Sequence, residues 1–317
     1  MVPVDAPKVT VQRSVAVIRV DGRVIESRFL MYSLADRRDE LNDLARGVAQ
    51  KGIYLETLRE IEVSIPPLQE QHRIVAALDD AFAAISKARA NTERNLRSAR
   101  DLFESHLHSV FSRRGLDWID RELSEICEVF ADGDWIESKD QSPKGIRLIQ
   151  TGNVGVGVFK DRGEKARHVS QGTFGRLRCT EIFEGDCLIS RLPDPVGRSC
   201  LLPDTGERMI TAVDCTIARF KPQVALPEFF DFYAQSPTYL KAVDSETTGT
   251  TRKRISRSRL GQIAVPIPPM EEQRRISASL EDLSAKSELL ASIYQRKLAA
   301  LDALKQSLLH QAFTGAL

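Results

Sequence analysis

The sequence predicts an α+β protein: two long helices that pair with each other, a complete mixed α/β domain between them, and a partial copy of that domain ahead of the first helix. Three observations lead there. They are an internal repeat at an offset of 202 residues, a heptad seam in each copy, and β-rich runs confined to the segment between the copies.

The repeat is plainest in "IPPLQEQHRIVAALD" from Ile65 and "IPPMEEQRRISASLE" from Ile267, which agree at nine of fifteen positions. At the same offset it continues through Leu102/Leu304, Leu107/Leu309, His108/His310 and Phe111/Phe313, and backwards through Ile61/Ile263, Lys51/Lys253 and Gly47/Gly249. With the offset shortened to 200 it takes in Phe29/Phe229 and Arg19/Arg219. A repeat of this length sets the architecture before any single element is considered. It divides the chain into 1–64, the closing part of a first domain; 65–114, a central helix; 115–266, a complete domain; and 267–317, a distal helix.

Each helix opens after two prolines, placed where a missing N–H costs little, and carries Glu70 or Glu271 and Glu272 in its first turn, where acidic groups suit the helix dipole. In the distal helix Ile276, Leu283, Leu290 and Leu304 step by sevens, interrupted by Lys297, beside a companion row of Leu280, Tyr294, Leu301 and Leu308. In the central helix Ile74, Leu78, Ala81, Ile85 and Ala88 hold the register, Thr92 and Asn95 break it, and Ala99 and Leu102 resume it. Seams of this kind are narrow a/d stripes rather than broad apolar faces, so each is expected to bury itself against the other.

In the segment 115–266, "GIRLIQ" (145–150), "GDCLISR" (185–191) and "ITAVDCTIARF" (210–220) read as strands punctuated by Gly, Pro and Asp, and "PEFFDFYAQS" from Pro227 as a helix with proline at its start. The first 64 residues repeat only the end of that pattern: a strand "VAVIRV", a helix around "RFLMYSLA", a turn at Gly47 and the run into Ile-Pro-Pro. By this comparison the first domain lacks its opening half, and the chain reads as truncated at its N-terminus.

Composition narrows the function. With 42% hydrophobic and 28% charged residues in 317, the chain has enough apolar material for real cores. No run approaches a membrane span and the N-terminus lacks the plan of a signal peptide, so the expected address is the cytoplasm, with no membrane partner. Five cysteines (Cys127, Cys179, Cys187, Cys200, Cys215) without a CxxC pair read as reduced buried thiols. "GNVGVGVF" (152–159) lacks the spacing of a dinucleotide loop, no P-loop or methyltransferase tetrapeptide is present, and "ESK" (137–139) beside Asp132 and Asp134 reads as a solvated turn. His72, His106, His108, His168 and His310 have no carboxylate or cysteine placed for acid/base or nucleophilic work. No catalytic residue, metal site or cofactor is expected in this chain.

The net charge of +1 requires any nucleic-acid surface to be local. "GTTRKRISRSRLG" from Gly249 concentrates Arg252, Lys253, Arg254, Arg257 and Arg259 within a few residues of Thr250 and Thr251, a mixture suited to phosphate oxygens. "IQTGNVGVG" offers Gln150, Thr151 and Asn153 between glycines, and "ISRLPDPVGRS" supplies Arg191 and Arg198.

In order, "GIRLIQTGNVG", "GDCLISR", "VGRSC", "AVDCTIARF", "GTTRKRISRSRLG" and "IPPMEEQRRI" resemble the target recognition domain and following helix of a type I restriction-modification specificity subunit. "IPPLQEQHRI" and "LLHQAFTGAL" are similar to that family's central helix start and its ending. The resemblance implies a non-catalytic reader of double-stranded DNA whose two helices pack antiparallel as a coiled coil. It also implies assembly with methyltransferase subunits that hold S-adenosylmethionine and with an ATP- and Mg2+-dependent restriction/translocase subunit. By motif it makes Gln150, Thr151, Asn153, Arg191, Arg198, Thr250, Thr251, Arg252, Lys253 and Arg254 the expected DNA contacts. The departure is the first domain, where "GVAQKGIY" keeps only Lys51 of the basic cluster. That leaves three expectations: a functional half-type subunit that pairs with a second copy, a partner to a separate chain supplying the missing half, or a recombination-derived fragment with no activity; a rival reading is an assembly scaffold that binds methyltransferase subunits without reading DNA.

Overall fold

The structure is a computed structural model and describes residues 15–45, 52–249 and 253–316. It holds nine α-helices and eleven strands among them. They are α1 Ser27–Asp36, α2 Arg38–Leu44, α3 Leu55–Arg59, α4 Leu68–Ser112, β1 Ile119–Glu122, β2 Cys127–Asp132, β3 Gln141–Ser142, β4 Ile146–Ile149, β5 Arg167–Val169, α5 Gln171–Leu177, β6 Glu181–Ile182, β7 Cys187–Ser190, β8 Ser199–Leu201, β9 Met209–Thr211, β10 Cys215–Phe220, α6 Pro227–Gln235, α7 Pro237–Ser245, α8 Arg257–Gly261, β11 Ala264–Ile267 and α9 Met270–Thr314. The chain forms two compact units, one of residues 1–98 with 290–317 and one of residues 99–289, so each long helix contributes to both.

In the unit of residues 99–289, two sheets carry the architecture. One has the antiparallel order β2-β10-β7-β8; the other has the order β3-β5-β4-β9-β6, in which only β4 and β9 run parallel. The run 210–220, expected as one stretch, divides at Ala212–Asp214 and places β9 in one sheet and β10 in the other. Alternation then fills two cores. Leu188 and Ile217 point into a layer with Ile149, Ile182 and Met209 from the other sheet, while Cys187, Ile189, Ala218 and Phe220 face α6 and α7. Strands buried on both faces read as continuous apolar runs, which is why their alternation is invisible in the sequence.

The second of these cores is aromatic. Phe111 near the end of α4 meets Phe229 and Tyr233 of α6 at 5.6 and 5.3 Å, and Phe230 meets Phe220 at 5.0 Å. Ile276 and Leu280 at the start of α9 and Leu107 of α4 join the same cluster. In the other unit Ile74, Val75 and Leu78 of α4 pack with Leu309 and Ala312 of α9 and with Phe29 and Tyr32 of α1. Arg89 of α4 pairs with Asp302 of α9. In both units the early part of one long helix meets the late part of the other, which is the expected antiparallel pairing.

The seam itself differs from expectation on one flank. The row Leu78, Ile85, Ala99 is buried, and Thr92 belongs to it, its hydroxyl donating to the Ala88 carbonyl at 2.8 Å, so a polar residue is tolerated there. On the other flank Ile74 is buried and Ala81 half-buried as expected, but further along α4 the half-buried positions are Leu96 and Phe103, one residue on from the exposed Asn95 and Leu102. Leu102 is 51% exposed. α9 shifts in the same sense. Leu280 is buried, and Tyr294, Leu301 and Leu308 are half-buried in their expected row, but the other row is Ser277, Ser284, Ala291, Leu298 and Ala312. Leu290 and Leu304 are exposed, Leu283 is half-buried, and Ile276 is buried against the aromatic core. The aromatic residues on this flank of α4 find partners of their own, Phe82 against Tyr32 of α1 and Phe103 against Phe232 of α6.

The repeat has a structural counterpart in two buried glutamines. Gln71 Nε2 donates to the Val24 and Pro66 carbonyls at 3.0 and 2.8 Å, and its Oε1 accepts from the Glu26 N–H at 2.8 Å. Gln273 makes the same three bonds, to Val224, Pro268 and Leu226, at 2.9, 2.9 and 2.8 Å. Each ties the entry of a long helix to the N-terminus of a preceding one, α1 or α6, whose first N–H groups lack partners within the helix.

One expected strand does not form. Residues 16–20 of "VAVIRV" carry no regular secondary structure, Val17 and Ile18 are exposed, and no described strand pairs with them. Their counterpart β10 is bonded on both edges, by β2 and β7. A lone strand has nowhere to place its main-chain bonds. Gly47 and Lys51 lie outside the described residues.

Candidate nucleic-acid interface

Those of the expected contact residues that the structure describes occupy three loops of the unit 99–289. After β4 the chain makes a 3-10 turn at Thr151–Asn153, in which the Asn153 carboxamide oxygen accepts from the Gln150 N–H at 3.0 Å and its Nδ2 donates to the Lys160 carbonyl at 2.9 Å. Asn153 is therefore buried and committed to shaping the turn, whereas Gln150 and Thr151 remain half-exposed.

Arg191 and Arg198 correct the expectation of surface arginines. Arg198 is 8% exposed, and its guanidinium donates to four carbonyls: Val154 at 2.7 Å, Thr151 at 2.8 Å, Leu192 at 2.6 Å and Pro195 at 3.0 Å. Arg191 is 3% exposed, donates to the Val213 carbonyl at 2.7 Å and lies 3.1 Å from Asp132. Burial draws both guanidinium groups below their ordinary range. A charge is expensive to bury without partners, so both are held by the fold rather than offered to a ligand.

The basic run is closed at its base by reciprocal bonds of 2.9 Å between the main chains of Thr248 and Arg254. Thr250, Thr251 and Arg252 lie outside the described residues. The described cations are each matched by a carboxylate: Lys253 to Asp244 at 2.7 Å, Arg254 to Asp214 at 2.7 Å, Arg257 to Asp132 at 4.0 Å and Arg259 to Glu246 at 4.0 Å. All four side chains are roughly half-exposed, so these pairs are weak and can be exchanged for phosphates.

A surface absent from the sequence reading lies beside the Gln150 turn. Because β4 and β5 are antiparallel neighbours with Leu148 opposite Arg167, the turn that leaves β4 stands next to the loop that enters β5. Between them is a cleft of about 270 Å³ lined by Arg147, Gln150, Thr151, Gly152, Arg162, Lys165 and Arg167. Arg147 is buried and neutralised by Glu207 at 3.0 Å and by Asp161. Arg162, Lys165 and Arg167 are exposed and make no ion pair among the described residues. Arg162 lies so close over Gly152 that a Cβ there would stand 2.6 Å from its Nη1. Three uncompensated cations thus ring an amide and a hydroxyl, the combination that grips phosphates and touches base edges. The sequence signal was "KDRGEKAR" (160–167), where Asp161 and Glu164 dilute the charge along the chain.

All five cysteines are buried and unpaired. Among the described residues no cluster of His, Cys, Asp and Glu could hold a metal ion, and no helix is long and apolar enough to cross a membrane.

Comparison with known proteins agrees with this architecture. The family model described as the type I restriction modification DNA specificity domain matches residues 2–93 and 116–296. The EcoKI specificity subunit of Escherichia coli is 25% identical over 88% of this chain and 63% of its own length, and the EcoBI specificity subunit, also from Escherichia coli, is 23% identical over 95% and 68%. The chain therefore spans just under two thirds of the length of the first of these relatives. A chain of a type I R-M system solved for its complex assembly and conformational transition has a TM-score of 0.76 at 22% identity, covering 95% of this chain and 74% of that one. The HsdS subunit of Thermoanaerobacter tengcongensis gives 0.61 at 22% identity, covering 95% and 73%. The two matched segments take in most of the chain and part of each copy of its repeat, and the chain belongs to the type I restriction modification DNA specificity domain family.

Proposed function

We propose that residues 115–266 recognise one half-site of a split duplex DNA sequence, and that the long helices dock methyltransferase subunits carrying S-adenosylmethionine. ATP and Mg2+ chemistry falls to a restriction/translocase subunit. The observation that carries the DNA reading is the cleft: Arg162, Lys165 and Arg167 stand uncompensated around Gln150 and Thr151. Cations without internal partners bind phosphates at no cost in broken ion pairs, so they supply affinity and its salt dependence. Gln150 and Thr151, held by Asn153, supply base-edge contact. Lys253 and Arg254 join as secondary phosphate contacts once they leave Asp244 and Asp214.

The test is duplex binding by the full chain, with and without a methyltransferase subunit, comparing wild type with Arg162→Ala/Lys165→Ala/Arg167→Ala. Three lost phosphate contacts reduce the slope of log K against log salt by about 2.7, so the penalty for moving from 50 to 200 mM salt shrinks by roughly 40-fold. An unchanged slope would remove the cleft from the interface. The matched charges of the Lys253–Arg259 run favour a second reading, in which the chain assembles methyltransferase subunits without reading DNA. Subunit binding with no affinity for duplex would support it.

A further inference from the structure

We propose that Arg198 is a positioning residue: its buried guanidinium locks the Gln150–Val154 turn and the Leu192–Pro195 loop into one reading element, so that sequence discrimination depends on it more than DNA affinity does. The proposal rests on the half-site reading above and names the group that sets its selectivity.

The geometry is unlike that of an ordinary structural arginine. Among the described residues no carboxylate pairs with Arg198; its partners are four main-chain carbonyls, two from each loop. A planar guanidinium with five donors can span two loops in this way, whereas an ammonium, a compact charge with three donors, can satisfy only one side. Each loop is otherwise anchored from behind. Asn153 ties the first to Lys160, and Ser190 Oγ donates to the Leu192 carbonyl at 3.1 Å while Tyr239 Oη donates to the Gly197 carbonyl at 3.1 Å. The loops also meet near Gly157, whose N–H donates to the Ser199 carbonyl at 2.8 Å. At the front, where Gln150 and Thr151 are half-exposed, the described contact that joins the two is the Arg198 fork. Base-edge readers must be held within about 0.5 Å of their productive position, and phosphate contacts tolerate more. The cations of the cleft stand on the loop that enters β5, and none of the described bonds joins them to Arg198.

The experiment uses the full chain with Arg198→Lys, and Arg198→Ala with and without millimolar guanidinium ion. Two probes are needed: the duplex that wild type enriches from a randomised pool, and a shuffled duplex of the same composition. Amide hydrogen exchange is measured in parallel. The expected result is a loss of at least about tenfold in the ratio of the two affinities, while the affinity for the shuffled duplex and its salt slope stay within about twofold. Exchange should rise together in residues 150–154 and 192–196, and guanidinium ion should partly restore the Ala variant. Unchanged discrimination, or faster exchange in one loop alone, would overturn the proposal. So would loss of the folding transition in Arg198→Lys, which would make the residue part of the core. If wild type itself enriches no duplex, the half-site reading fails, whereas the joint change in exchange still decides whether Arg198 joins the loops.

Discussion

Gln273→Leu is expected to be among the most damaging single substitutions at the helix junction. Leucine fills a similar volume, so packing is nearly kept, but the Leu226 N–H and the Val224 and Pro268 carbonyls all lose their partner in a site where Gln273 is 0% exposed. Each buried group left unsatisfied costs about 1–3 kcal/mol, and partial relaxation of three neighbours gives a total of about 3–5 kcal/mol. Both tryptophans, Trp118 and Trp135, lie in the unit 99–289, and Trp118 packs on Phe111 and Phe229. Urea unfolding followed by tryptophan fluorescence therefore reports that unit. Gln273→Leu should move this transition to clearly lower urea. Gln71→Leu breaks the equivalent bonds in the other unit and should instead weaken the helical signal while moving the fluorescence transition less. Gln273→Glu keeps the acceptor for Leu226 but turns both donors into an oxygen facing two carbonyls, and should be at least as damaging as leucine. A loss below about 1 kcal/mol for Gln273→Leu would refute the reasoning, since it would mean that these groups find other partners at no cost.

Further outcomes follow from burial and charge. Burial raises the Asp231 carboxyl from 3.8 to about 6, against the lowering effect of hydrogen bonds from Ser199 and Gln235. The folded state therefore holds the proton more tightly, so stability falls as pH climbs from 3.8 through about 6 and stays lower above that. Asp231→Asn should flatten thermal stability across this window and raise it at pH 8, by up to about 3 kcal/mol. On the long helices, Leu78→Ala should cost about 2–5 kcal/mol because Leu78 is fully buried, whereas Leu102→Ser should change stability by about 0.5 kcal/mol or less, both read by helical circular dichroism on urea unfolding.

Much of this fold is legible in the sequence because repetition and periodicity are local signals. The offset that aligns Ile65 with Ile267 also aligns Gln71 with Gln273, and these two residues prove to make the same bonds. What the sequence hides is the choice among neighbours. A heptad pattern places Leu78 and Leu280 correctly, yet whether Leu102 or Phe103 is covered depends on a neighbour outside the helix pair, Phe232 of α6, which stands 6.3 Å from Phe103. The site shows the same limit. Arg198 reads as a DNA contact by its motif, but two of the four carbonyls that bind it lie 44 and 47 residues earlier in the chain, beyond the reach of a local reading. Arg162, Lys165 and Arg167 pass unnoticed because acidic neighbours cancel them in sequence, while the pairing of β4 with β5 carries them to one cleft.

The most direct test of DNA reading is selection of duplexes from a randomised pool by the full chain with a methyltransferase subunit, at low and moderate salt. Enrichment of a single half-site motif at both salts, lost with Arg162→Ala/Lys165→Ala/Arg167→Ala, is the predicted result. A pool that remains random while the methyltransferase subunit is still retained would contradict the account and leave the chain an assembly role alone.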